Sequence, residues 1–157
     1  MNKKTYKKAA AGRSLYLVDI ENIVGASEIS ESQVAEAREA LHAVAAPGPR
    51  DQFYVASSHH NAAAAGFGWP GAQKEFKSGP DGADFMIIKK MIEVGNGMSF
   101  DHVYIASGDG CMAYYVDYLA SLGVKVTILA NHRGFSHEMR HADAEVLWLD
   151  SDYQLAA

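Results

Sequence analysis

Short, wholly apolar runs alternate with amphipathic stretches along the chain. Leu15-Tyr16-Leu17-Val18 ends abruptly at Asp19, the pattern of a strand buried on both faces. Similar runs at 52–57, 102–106 and 124–129, with shorter ones at 72–76 and 145–149, read as further strands. Between them lie helical spacings. Ser30 to Gln33 forms a capping box, after which Val34, Ala37, Leu41 and Val44 recur at helical intervals until Pro47-Gly48-Pro49 stops the run. A second helix is expected over 83–94, with Phe85, Ile88, Met91 and Ile92 as its apolar face and Lys89, Lys90 and Glu93 outside. Further helices are expected at 112–122 and near 135–141, whereas 61–71 reads as irregular or briefly helical.

Strands alternating with helices imply right-handed crossovers and an α/β fold, a three-layer α/β/α arrangement around a mostly parallel sheet. Ligands in such folds sit beyond the carboxyl ends of the strands. Asp19, Ser57 with His59, Asp109, and Asn131 with His132 all follow strand runs directly, so one rim of the sheet is expected to collect them.

Composition narrows the class. The chain has 157 residues, 48% of them hydrophobic and 21% charged, which suits one globular domain and excludes a disordered chain. A lone cysteine, Cys111, excludes a disulfide framework or a thiolate-rich zinc module. No apolar run approaches the roughly 18 residues of a membrane span, and a cytoplasmic location is expected. The net charge of −5 conceals an asymmetry, because residues 1–13 carry Lys3, Lys4, Lys7, Lys8 and Arg13 and no acid. The expected organisation is a flexible basic arm (1–13), one domain (14–150) and a short tail (151–157).

An aspartate after a strand often caps the next turn through backbone amides. Here the pattern recurs. Asp19 and Asp109 both end strands and Asp84 opens a helix. Three carboxylates on one rim repel one another unless a cation lies between them. Oxygen ligands of this kind suit Mg²⁺ or Mn²⁺, which lower the pKa of a bound water and stabilise charge on a phosphodiester.

These residues bring a family into view. Leu17-Val18-Asp19-Ile20-Glu21-Asn22 resembles the D-x-x-N opening of NYN domains, the PIN-like group that includes LabA-like and YacP-like proteins, and Ser107-Gly108-Asp109 resembles their S-G-D strand end. Lys77 with Gly82-Ala83-Asp84 is similar to the lysine and turn before their middle aspartate. Gly123-Val124-Lys125-Val126 and Ser136 with His141-Ala142-Asp143 are similar to their closing motifs. The resemblance runs with gaps from about 15 to 150.

The resemblance implies a PIN-like strand order 3-2-1-4-5 and divalent-metal-dependent cleavage of RNA. By the family pattern Asp19, Asp84 and Asp109 hold Mg²⁺ or Mn²⁺, Asn22 orients Asp19 or the attacking water, and Ser107 supports the shell. Two departures stand out. Relatives often continue S-G-D-x-D, where this chain has Cys111, and they often place a further acid about a helical turn after the middle aspartate, where it has Ile88, Lys89 and Lys90. Glu21 and Asp81 are geometric substitutes that can equally serve their own turns.

RNA is the expected partner, with a homodimer left open. Lys77, Arg133, His132 and Trp69 are the substrate-binding candidates, and the basic arm, Lys89 and Lys90 offer further phosphate contacts. Phe67 and Trp69 either stack unpaired bases or pack against the sheet. His59 and His60 read as turn residues, Asp143 as structural at the opposite rim, and Tyr114, Tyr115 and Tyr118 as packing residues. Two rival functions remain: a non-catalytic PIN-like module binding RNA or protein, and a phosphatase of the haloacid-dehalogenase type. The latter type places an Asp and a Thr where this chain has Glu21 and Ile23.

Overall fold

The computed structural model describes residues 13–79, 81–97 and 100–150. The basic arm up to residue 12 and the tail at 151–157 lie outside the described residues. Six strands form one sheet: β1 (Ser14–Asp19), β2 (Gln52–Ser57), β3 (Gln73–Phe76), β4 (His102–Ala106), β5 (Lys125–Ala130) and β6 (Glu145–Trp148). Their order is β3-β2-β1-β4-β5-β6, and every pairing is parallel. This agrees with the order expected from sequence and adds β6 outside β5.

The central strand β1 is buried from Leu15 to Asp19 because both its faces are covered. Leu15 and Leu17 enter one core, with Ile105 and Ile128 and the helices α4 (Gly82–Gly95) and α5 (Ala113–Ser121). Tyr16 and Val18 point the other way, into a core completed by α1 (Ile20–Val24), α2 (Glu31–Ala45) and α3 (Ala62–Gly68). A four-residue helix, α6 (His137–Arg140), buries Met139 in the first core. The alternation of side chains along a strand divides the apolar run between the two layers.

The Ser30–Gln33 capping box forms as expected, each residue's side chain accepting from the other's backbone amide. Residues 62–68 are helical, so of the two readings of 61–71 the brief helix holds. Three features differ from expectation. An unexpected single-turn helix, α1, follows Asp19 directly. Tyr114 is exposed, although Tyr115 and Tyr118 do pack on the core. The buried face of α4 is Ala83, Ile87, Met91 and Val94, while Phe85 and Ile92 stand exposed. Apolar residues run almost all the way round this helix, so periodicity alone does not select the face that meets the sheet.

An aromatic ladder ties the middle strands together. The register sets Tyr16 opposite both Phe53 and Tyr104, and their rings stack at centroid distances of 4.5 and 4.3 Å. Tyr16→Ala opens a cavity at the centre of this ladder and should cost about 3 to 5 kcal/mol. Chemical denaturation checks this, and a loss of well under 1 kcal/mol would mean the ladder contributes little.

Candidate active site

Parallel pairing brings the polar residues to one rim. Val18 pairs with Ala106, so the next residues along, Asp19 and Ser107, meet at the strand ends. Asp19 caps α1, accepting from the Asn22 amide at 3.4 Å, and its other oxygen accepts from Ser107 Oγ at 3.4 Å. Only 5% of Asp19 is exposed. Ser107 Oγ also accepts from the Asp109 amide at 3.2 Å, so one buried hydroxyl joins two of the carboxylate-bearing positions. Asn22 reaches across to accept from the Gly108 amide at 2.9 Å. Its side chain holds the Ser107-Gly108-Asp109 loop, and only its backbone amide touches Asp19.

Asp109 caps a short 3-10 turn, Gly110–Met112, by accepting from the Cys111 amide at 3.0 Å. Asp84 comes from the first turn of α4, on the far side of the rim. Together Asp19, Asp84 and Asp109 line a cavity of about 190 Å³, with Glu21, Asn22 and Ser58 in its wall. Glu21 is a working part of the frame. Its carboxylate accepts from the Ser58 amide (2.8 Å), Ser58 Oγ (3.0 Å) and Asn61 Nδ2 (2.7 Å), which clips the end of β2 to α1.

The cavity is electrostatically unbalanced. Burial, then the neighbouring Asp84, pushes the Asp19 carboxyl well above the usual carboxylate range. Burial also raises Asp84, whose contact with Asp19 acts the other way while Asp109 adds to the rise. Cys111 follows suit, its thiol held up by burial and by the charges of Asp84 and Asp109. Among the described residues no lysine or arginine forms an ion pair with these three aspartates. A divalent cation would relieve all of these strains at once.

The donor set fits a cation. Asp84, Asp109 and Cys111 can each present one ligand atom, all within 4.8 Å of one another. Asp19 lines the same cavity, close enough to Asp84 for the two carboxyls to influence one another. Cys111 is thus drawn into the group, though only its place two residues after Asp109, where relatives often carry an acid, hinted at this.

The substrate-binding candidates divide. The Lys77 ammonium sits 3.6 Å above the Phe85 ring, beside the start of α4. Arg133 lines a larger groove of about 830 Å³ that shares Glu21 and Asn22 with the acidic cavity. His132 is engaged elsewhere: it stacks on Trp148 at 3.8 Å and meets Asp150 at 2.9 Å. Trp69 is corrected outright, since 2% exposure places it in the core beside Phe53 and His42, where no base can reach its face. His60 meets the Ser27 carbonyl at 2.7 Å as a turn residue. The Asp143 amide donates to Asp117 Oδ1 at 2.7 Å, and Asp143 lines a cavity at the start of β5, the rim opposite the aspartates.

A parallel α/β sheet with aspartates clustered at the carboxyl rim fits the PIN-like fold expected from the sequence. The NYN domain model matches residues 14–150, and the chain belongs to that family. A structural relative is a protein of unknown function from Vibrio parahaemolyticus RIMD 2210633, 20% identical, with a TM-score of 0.53 over 96% of this chain and 98% of that one. That likeness concerns the fold. No curated protein matches the chain. Among the described residues no helix is long and apolar enough to cross a membrane.

The crowding of charge makes a thermal prediction. Asp84→Asn removes one like charge from the cavity and should raise the unfolding midpoint in EDTA by about 3 °C, while abolishing any stabilisation by Mn²⁺. Thermal melts with and without metal check this, and a lowered midpoint in EDTA would show that the aspartates do not strain one another.

Proposed function

We propose that the protein is a divalent-metal-dependent ribonuclease that cleaves RNA phosphodiester bonds at the carboxylate rim, with Mg²⁺ or Mn²⁺ as cofactor. The observation that carries this reading is the cluster of buried and half-buried aspartates with no basic partner among the described residues, in a chain of the NYN family. When bound, the cation supplies a nucleophile at neutral pH and offsets charge on the phosphodiester. Asp19, Asp84 and Asp109 are the residues to hold it, with Cys111 at their edge. Ser107 keeps Asp19 and the Asp109 backbone in fixed relation, and Asn22 prevents their loop from moving away. Lys77 and Arg133 offer phosphate contacts to either side. Cytoplasmic location and the RNA contacts of the basic arm belong to the same proposal.

Removing an outer partner of a metal site typically costs about 10- to 100-fold, so losing a ligand should cost more. Labelled single-stranded RNA incubated with Mn²⁺ should be cut by the wild type and at least about 100-fold more slowly by Asp109→Asn. Equal cleavage by both proteins would trace the activity to a contaminant.

Cys111 favours a second reading, a non-catalytic module that binds RNA or protein, because a thiol is a poor ligand for Mg²⁺. The two readings separate with Cys111→Asp. In a working nuclease the added carboxylate should lower the Mg²⁺ concentration needed for half-maximal cleavage, by about tenfold if it becomes a ligand. RNA binding that persists in EDTA in both Cys111→Asp and wild type, with no cleavage in either, would support the non-catalytic module.

A further inference from the structure

Phe85 is a large apolar side chain left 52% exposed on a helix that buries Ile87, Met91 and Val94 against the sheet. It directly follows Asp84 in the first turn of α4, so its backbone adjoins that of a residue lining the acidic cavity. The Lys77 ammonium lies 3.6 Å above its ring centroid, well inside the range of a cation–π contact.

The backbone of Lys77 is held from two sides. Its amide donates to the Ser57 carbonyl at 3.1 Å, continuing the β2–β3 pairing past Phe76. Its carbonyl lies so close to Gly82 that a Cβ there would come within 2.2 Å of the oxygen. Only glycine allows α4 to start against this strand end. The backbone of Lys77 is therefore fixed against the first turn of α4, the turn that carries Asp84, yet among the described residues its ammonium forms no ion pair with any of the aspartates.

That combination needs an explanation, because a lysine anchored against the turn that carries Asp84 would gain most by pairing with a carboxylate. Such a pair would neutralise the site that a metal has to enter. We propose that Phe85 is a positioning residue, whose ring seats the Lys77 ammonium at the cavity mouth, leaving the aspartates for the cation and the ammonium for a phosphate of single-stranded RNA. The exposed face of the contact, away from the ring, is where the phosphate approaches. This deepens the ribonuclease reading and rests on it.

The test uses Phe85→Leu, which keeps apolar bulk and removes the ring, and Phe85→Tyr, which restores a ring. Nuclear magnetic resonance should find the Lys77 ε-methylene protons shifted upfield by ring current in wild type and Phe85→Tyr and unshifted in Phe85→Leu. Cleavage of RNA with Mn²⁺ should show KM raised about two- to fivefold in Phe85→Leu with kcat unchanged, recovered in Phe85→Tyr, and no further effect of Phe85→Leu in a Lys77→Met background. Absence of the upfield shift in wild type overturns the seat. A KM effect of equal size in the Lys77→Met background overturns it too, since Phe85 then acts by some other contact, such as a docking surface shared with the exposed Ile92. Wild type that neither binds nor cuts RNA overturns the ribonuclease reading and this role with it. Wild type that cuts, with Phe85→Leu indistinguishable from it, overturns this proposal alone.

Discussion

The parallel register between β1 and β4 is the constraint on which the rest of the site depends. With Val18 opposite Ala106, the first polar residues beyond the apolar runs, Asp19 and Ser107, arrive side by side. A slip by one residue would turn Leu15 and Leu17 into the layer of Tyr16 and Val18 and separate the two polar groups. Two buried cores, one on each face of the sheet, therefore enforce the geometry of a site that contributes almost nothing to them. From this fixed pair the remaining pieces hang by short links: Ser107 to Asp109, Asn22 to Gly108, and Glu21 to Ser58 and Asn61.

What the cores hold together, the site pushes apart. Asp19 is buried beside Asp84, Asp84 faces Asp109, and the hydrogen bonds available to Asp19 are both long at 3.4 Å. Native structures tolerate such concentrations of like charge chiefly where function requires them. The neighbouring cations follow the same logic. Among the described residues Lys77 rests on an aromatic ring and Lys90 pairs with Glu93, and neither forms an ion pair with the rim aspartates.

The architecture was readable wherever local pattern and tertiary structure agree. Val18 ending at Asp19, and Ala106 ending at Ser107, mark strand ends because an apolar run meets a polar stop. The Ser30–Gln33 box marks a helix start for equally local reasons. The family resemblance added the order of strands. Elsewhere local pattern was silent. Near-uniform apolarity hid the buried face of α4, and α1 is a single turn that exists because Asp19 caps it. Trp69 sits in a glycine-rich stretch that reads as a loop, yet α3 forms there and turns the indole into the core between Phe53 and His42. The Glu21 network spans 37 to 40 residues of chain, beyond the reach of any periodicity. Cys111 reads as a missing ligand in sequence, but the 3-10 turn capped by Asp109 carries its sulfur back into the cluster.

The central claim is that the rim aspartates are arranged around a cation. A crystal grown with Mn²⁺ and measured with anomalous scattering tests it most directly. The expected result is an anomalous peak in the cavity between Asp84 and Asp109, within coordination distance of their carboxylates and with Asp19 turned toward it. No peak there at saturating Mn²⁺, or a peak confined to the surface histidines, would contradict the account.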